Sequence, residues 1–214
     1  MSQNNTQQTG TRFYFSIIEG DLKRKALPTD PETAVSKRTN KSGKEMDEYT
    51  ATSIGGKIKD FNLFTEEYQG KKFTNLVINL SDIGENYVIN IPAESRYYSS
   101  FVTKLPNIDF SQYVELSTFK FQPKDKLKPI SGVTLKQGLG KVPDFYSKTN
   151  PLPNVPDFPT GGDLNEIKMW GLQQAISLKK VLEQQRERLF SVINTPEPVA
   201  ENNNSEQVED DLPF

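Results

Sequence analysis

Between residues 13 and 137 apolar residues recur with a period of two, in short segments cut by glycine, proline or asparagine. A period of two buries one face of a strand, and segments this short need partners to bury it against, so the pattern constrains this part of the chain to a β domain. Residues 73–80 show it best: Leu76, Ile78 and Leu80 face a core, while Phe73, Asn75, Val77 and Asn79 face the other way. Residues 13–18 form a first strand with apolar or aromatic side chains on both faces. Residues 49–64 form a long one, interrupted at Gly55-Gly56 by a bulge or sharp bend. A turn at Gln69-Gly70 precedes residues 73–80, and a turn over 82–86 leads into strand 87–91, closed by Pro92. Residues 93–105 suit a short helix with Tyr97, Phe101 and Leu105 at helical spacing. Strands 113–122 and 131–137 follow, split by the Lys-Pro-rich turn 123–130. Residues 21–47 hold Pro28, Pro31 and seven basic residues, and read as a long basic loop.

Outside the strands the composition changes. Residues 1–11 are polar and read as a disordered N-terminus. Residues 12–137 form the β domain. Residues 138–162 hold five prolines and four glycines and read as an extended linker. Residues 163–194 form a helix, with Asp163 as N-cap and Glu166 where a capping-box acid belongs. Its partial stripe of Leu164, Ile167, Trp170, Leu178, Val181, Leu182, Leu189 and Ile193 packs on the domain. The alternative is self-association, but Gly171, Gln174 and Gln185 break the seam that a coiled coil needs. Residues 195–214 read as a disordered acidic tail. The expected fold class is mainly β: a five-stranded Greek-key barrel of the oligonucleotide-binding type (OB-fold), with a short helix inserted before the fourth strand and one additional C-terminal helix. A sandwich fits the strand count nearly as well.

The chemistry open to the chain is narrow. Its 214 residues include no Cys and no His, which removes disulfides, thiolate zinc sites, His-ligated metals and Ser-His-Asp triads. No cofactor or metal is expected. The N-terminus lacks the apolar core of a signal peptide, and no apolar run approaches the ~18 residues of a membrane span; the expected compartment is the cytoplasm. The net charge of -2 hides an asymmetry. Residues 196–214 carry six acids and no base, a charge of -6, and the remainder sets 26 basic residues against 22 acidic ones, a charge of +4.

The chain ends Glu209-Asp210-Asp211-Leu212-Pro213-Phe214. Phe214 would offer a ring and an α-carboxylate on one residue, which a partner can bind with an apolar pocket and a basic side chain. Pro213 limits the conformers lost on binding, and the acids add long-range attraction to a basic partner. In these residues the chain resembles the single-stranded-DNA-binding proteins (SSB) of bacteria and their phages, whose tails end in three acids followed by Ile-Pro-Phe. Glu209 stands here for one Asp, and Leu212 for Ile. The resemblance is strict only at the tip. The β-rich body, polar linker and acidic tail agree in layout, while helix 163–194, the basic stretch 21–47 and the proline-rich stretch 138–162 depart from the bacterial pattern. These departures point to a divergent, phage-encoded member acting in the host cytoplasm, with a homo-oligomer not predicted. The resemblance implies an OB-fold that coats single-stranded DNA with little sequence preference, and a tip that recruits DNA replication, recombination and repair proteins.

Binding single strands needs cations for phosphates and aromatic faces for bases. Residues 117–148 hold seven lysines against two aspartates. The candidates are Lys57, Lys59, Lys71, Lys72, Phe73, Phe119, Lys120, Phe121, Lys124, Lys126, Lys128, Lys136, Lys141 and Tyr146. Phe119 and Phe121 fit a core as well as a DNA platform, Phe13 and Phe15 are favoured as core, and the lysines also suit a solvated surface. In oligonucleotide-binding barrels one sheet face and the loops between strands 1–2 and 4–5 bind the ligand; turns 65–72 and 123–130 take those places.

The chain is not expected to be an enzyme. Gly55-Gly56-Lys57 lacks the spacing of a phosphate loop, and Gly138-Leu139-Gly140 lacks the third glycine of a dinucleotide turn. Asp157 with Glu166 and Lys168 has the spacing of a nuclease metal site, but a linker and a helix start do not hold ligands as adjacent strands do. The remaining rival is an adaptor that carries the same tail and binds no DNA.

Overall fold

The computed structural model describes residues 10–39, 43–124, 129–159 and 163–195. Ten strands join in one mixed sheet: β1 Thr11–Ile18, β2 Asp21–Lys25, β3 Val35–Thr39, β4 Glu45–Ala51, β5 Ile54–Tyr68, β6 Lys71–Asp82, β7 Glu85–Pro92, β8 Tyr113–Phe121, β9 Ile130–Gln137 and β10 Gly140–Lys141. Helix α1, Arg96–Val102, joins β7 to β8, and helix α2, Leu164–Ile193, follows the strands. The ladder runs β10-β9-β8-β5-β6-β7-β1-β2-β4-β3. Only β1 and β7 pair in parallel; every other neighbouring pair is antiparallel. The expected mainly β fold is present, as one mixed sheet of ten strands that is not a closed barrel, where the sequence suggests five strands.

The extra strands come from the stretch expected as a basic loop. Residues 21–47 hold β2, β3 and the start of β4. Three of their cations, Lys23, Arg24 and Arg38, are met by acids. Arg24 forms a two-pronged ion pair with Asp30, at 2.8 and 2.6 Å, and its guanidinium lies 4.3 Å from the ring centre of Tyr49. Glu48, only 3% exposed, takes Arg38 at 2.8 Å and Lys23 at 3.9 Å. A buried carboxylate is tolerated only with such partners. Proline and charge counts register neither contact.

The long strand expected over 49–64 is two strands, broken at Thr52-Ser53. Gly55 and Gly56 lie within β5 and make no bend. A Cβ on Gly55 would stand 2.0 Å from the Tyr113 hydroxyl, and one on Gly56 would stand 2.9 Å from the Ser81 carbonyl oxygen. The glycines permit close approach, and the register shift falls between Ile58 and Asp60 instead. Beyond Lys57 β8 no longer pairs with β5, and α2 reaches this part of the strand through Arg186, which binds Asp60 at 2.7 and 3.0 Å.

The alternation in 73–80 is as the sequence predicts: Leu76, Ile78 and Leu80 are buried and Phe73 is exposed. Burying each aliphatic side chain contributes about 1.5–3 kcal/mol. Ser95 caps α1 by accepting from the Tyr98 amide. Phe101 and Leu105 are buried as expected, with Tyr98 rather than Tyr97 the deeper ring. Asp163 caps α2, accepting from the Asn165 amide at 2.8 Å. α2 packs through Leu178, Val181, Leu182 and Leu189, whereas Leu164 and Ile193 of the expected stripe are exposed. Arg188 fixes the register of that packing by donating to the carbonyls of Pro106 and Ile108 over the Phe110 ring.

The stretch expected as a free linker is tied down where it is described. Phe145 donates its amide to Thr103, Trp170 Nε1 donates to the Pro156 carbonyl at 2.9 Å, and Ser177 donates to the Pro153 carbonyl at 2.6 Å. Prolines leave carbonyls without ladder partners, and α2 supplies donors to two of them. Among the described residues no helix is long and apolar enough to cross a membrane.

Candidate nucleic-acid interface

The register assigns side chains to the two faces of the sheet. Across the hairpin of β5 and β6, Phe64 stands opposite Asn75, Glu66 opposite Phe73, and Tyr68 opposite Lys71. These six residues share one face. Phe64, Tyr68 and Phe73 are 54%, 66% and 48% exposed, so three rings and an ammonium group stand in water on a rigid ladder. Lys72 belongs to the other face, opposite Glu67. The turn itself needs Gln69 and Gly70 at positive φ, 51° and 72°, which suits the tight reversal. An open groove of about 650 Å³ lies beside the hairpin, between Tyr68, Phe73, Pro92 and Glu94.

The same face continues along the sheet. Asn62 pairs with Val77, Val77 with Asn90, and Asn90 aligns through β1 with Ser16 and then Lys23. One row further from the tip come Asp60, Asn79, Val88 and Tyr14, with Tyr14 58% exposed and its neighbour Phe15 buried. Lys57, Ser81, Asn86 and Arg12 follow. This face carries exposed rings and amides, with Lys71, Lys57 and Arg12 at its borders; Glu66, the buried Val88 and Asp60, which Arg186 of α2 holds, lie among them. Asn and Tyr side chains hydrogen-bond and stack without discriminating strongly among bases.

The remaining sequence candidates divide. Lys59 is exposed at the register shift in β5. Phe119 and Phe121 lie on one face of β8 with ring centres 6.3 Å apart; Phe121 is exposed, and Phe119 is half-buried over Gly132. Lys120 lies on the opposite face and reaches the β1–β2 turn, where a Cβ on Gly20 would meet its own Cβ at 2.8 Å. Lys124 is exposed beyond β8. Lys136 forms an ion pair with Glu115 at 3.4 Å, and Lys141 is exposed opposite it on β10. Tyr146 is partly buried against the core, edge-on to Phe145, and belongs to the strap rather than to an open face. Lys126, Lys128 and the tip Glu209 to Phe214 lie outside the described residues.

The sequence-based strand 49–64 includes Phe64 without marking its face and stops short of Tyr68, whereas β5 runs on to Tyr68. Continuing its alternation through Glu66 to the Gln69-Gly70 turn places both rings outside. Among the described residues no cluster of three Asp or Glu could hold a metal ion, and Asp157 and Glu166 are both exposed on separate segments. No family model, curated protein or solved structure matches the chain.

Proposed function

We propose that the chain binds single-stranded DNA through the outward face of β5, β6, β7 and β1, with little base preference, and that its acidic tip recruits proteins of DNA replication, recombination and repair. The observation that carries this reading is the set of exposed rings Phe64, Tyr68 and Phe73 beside Lys71 on one face of a rigid hairpin. Rings in water oppose solubility unless a ligand uses them, and bases stack on rings whatever their identity.

The strand succession supports the same reading. β5, β6, β7, α1, β8 and β9 follow one another with β5 pairing both β6 and β8, the Greek-key order of an oligonucleotide-binding barrel. In such a barrel the second and third strands, here β6 and β7, carry the ligand. The loops that flank it correspond to the Gln69-Gly70 turn and the 122–129 connection. β1 takes the parallel place beside β7.

The test is a polarisation titration of labelled oligo-dT across a salt series. Affinity is expected to fall linearly in log–log form, with a slope of about -0.7 per phosphate neutralised. No binding at low salt would leave the adaptor as the reading. The tail gives an independent expectation. With a charge of -6 tethered to a basic body, deletion of residues 207–214 leaves oligo-dT affinity unchanged or raises it, because the tail competes for the same cations. The same deletion, or Phe214→Ala alone, abolishes capture of a replication partner. Loss of DNA affinity on truncation would instead make the tail part of the DNA site.

A further inference from the structure

At the end of β5 and β6 away from the hairpin tip, a recess of about 260 Å³ opens between Phe13, Tyr49, Tyr87 and Tyr113. Phe13 and Tyr87 stack at 5.8 Å and 24°. Arg24, locked to Asp30, lies beneath, 5.1 Å from the Phe13 ring centre and 4.3 Å from that of Tyr49. Its Nε is buried without a hydrogen-bond partner. At the rim stand Asp82 and Glu85. Tyr113 donates to Asp82 at 3.5 Å and Tyr87 donates to Glu85. Neither carboxylate is ion-paired among the described residues.

The chemistry of this recess is selective. Two carboxylates at the mouth repel a phosphate and accept N–H groups. The guanidinium below already occupies the faces of Phe13 and Tyr49, so a second cation would sit against it. A flat neutral ring between aromatic walls meets neither objection. Its edge should carry amine donors for the carboxylates and a carbonyl for the positive floor. Just outside the rim the ladder sets Lys57 opposite Tyr113, and Arg12 opposite Asn86, the neighbour of Glu85. Both cations are exposed; neither lines the recess, and Arg12 points to the opposite side of β1 from Phe13.

We propose that this recess takes a single nucleobase bearing an exocyclic amine beside a ring carbonyl, guanine or cytosine, either turned in from a DNA strand or as a free nucleoside. The first source rests on the DNA-binding reading; the second does not. Phe13, Phe15 and Tyr87 alternate along their strands with Arg12, Tyr14 and Val88 of the outward face, so the recess lies on the other side of the sheet from the platform.

The experiment titrates the full chain with guanosine, cytidine, thymidine and butylammonium, and in parallel with oligo-dT and the same oligonucleotide carrying one cytosine or guanine. Guanosine and cytidine are expected to saturate, thymidine and butylammonium not, and the single substitution to tighten the oligonucleotide about tenfold. Asp82→Asn and Tyr113→Ala should abolish that gain while leaving oligo-dT affinity unchanged, and Tyr113→Phe, which keeps the ring, should retain most of it. Circular dichroism of each variant separates loss of the site from loss of the fold. If nucleosides bind and oligo-dT does not, the recess stands as a nucleoside site and the DNA reading falls. If oligo-dT binds but no nucleoside saturates and the cytosine brings no gain, the recess proposal falls alone. Saturation by butylammonium in place of the nucleosides would overturn it in favour of a cation site.

Discussion

Arg24→Ala is expected to destabilise the fold by about 3–5 kcal/mol, the cost of breaking a buried ion pair by removing one partner. The side chains of Arg24 and Asp30 are 10% and 7% exposed. Removing the guanidinium leaves the Asp30 carboxylate buried with, among the described residues, the Leu27 amide to satisfy it, and takes away the cation packed on the rings of Phe13, Phe15 and Tyr49. Urea unfolding would measure the loss as a shift in midpoint at constant slope. The effect depends on pH. The Arg24 guanidinium, above all, and the Leu27 amide hold the Asp30 carboxyl below the usual carboxylate range, against its desolvation. A depressed folded-state value contributes stability that is present above the unfolded value near pH 4 and is lost as pH falls through the folded one. The gap between wild type and Arg24→Ala therefore narrows below about pH 4. The paired replacement Arg24→Met with Asp30→Leu should recover much of the loss, since an apolar pair of similar volume leaves no charge unpaired. If Arg24→Ala unfolds at the wild-type midpoint, β2 is not held as described.

The same ion pair shows where sequence reasoning stops. Leu76, Ile78 and Leu80 announce their strand because alternation is a local property, and each is buried. The cap at Asp163, the short helix and the closing Pro92 are local too. The three strands between residues 21 and 51 are held by contacts of another kind. Arg24 answers Asp30 and Tyr49, and Glu48 answers Arg38 and Lys23. Read singly, each of these is a solvated charge in a polar run; buried pairing is visible only once the ladder has brought them together. The candidate interface divides in the same way. Lys71 and Phe73 stand where alternation puts them. Lys136 is paired with Glu115 across the ladder, and Tyr146 packs against the core, because partners from distant segments decide what a side chain is free to do. The recess at the other end was illegible for this reason. It takes residues from β1, β2, β4, β5, β6, β7 and β8, and no stretch of sequence carries its pattern.

Removing the hairpin rings separates DNA binding from the fold. Phe64→Ala, Tyr68→Ala and Phe73→Ala are each expected to weaken oligo-dT binding by about 1–3 kcal/mol, the range measured when a base loses its aromatic partner, or about 5- to 150-fold in Kd. The rings share one face and stack successive bases of one strand, so the triple variant should fall to the salt-sensitive background set by lysines alone. Stability should stay within about 0.5 kcal/mol, because all three rings are already in water. Lys71→Ala makes the complementary cut. It removes one phosphate contact from this face, and the log–log salt slope should shrink by about 0.7. Lys72→Ala, on the opposite face and opposite Glu67, should leave the slope unchanged. That contrast between adjacent lysines is the sharper measurement, since net charge changes equally in both and only the face differs. Equal slopes for the two would mean that the ligand follows overall charge. Unchanged affinity in the triple variant, with loss in Phe121→Ala, would move the interface from the hairpin to the end of β8.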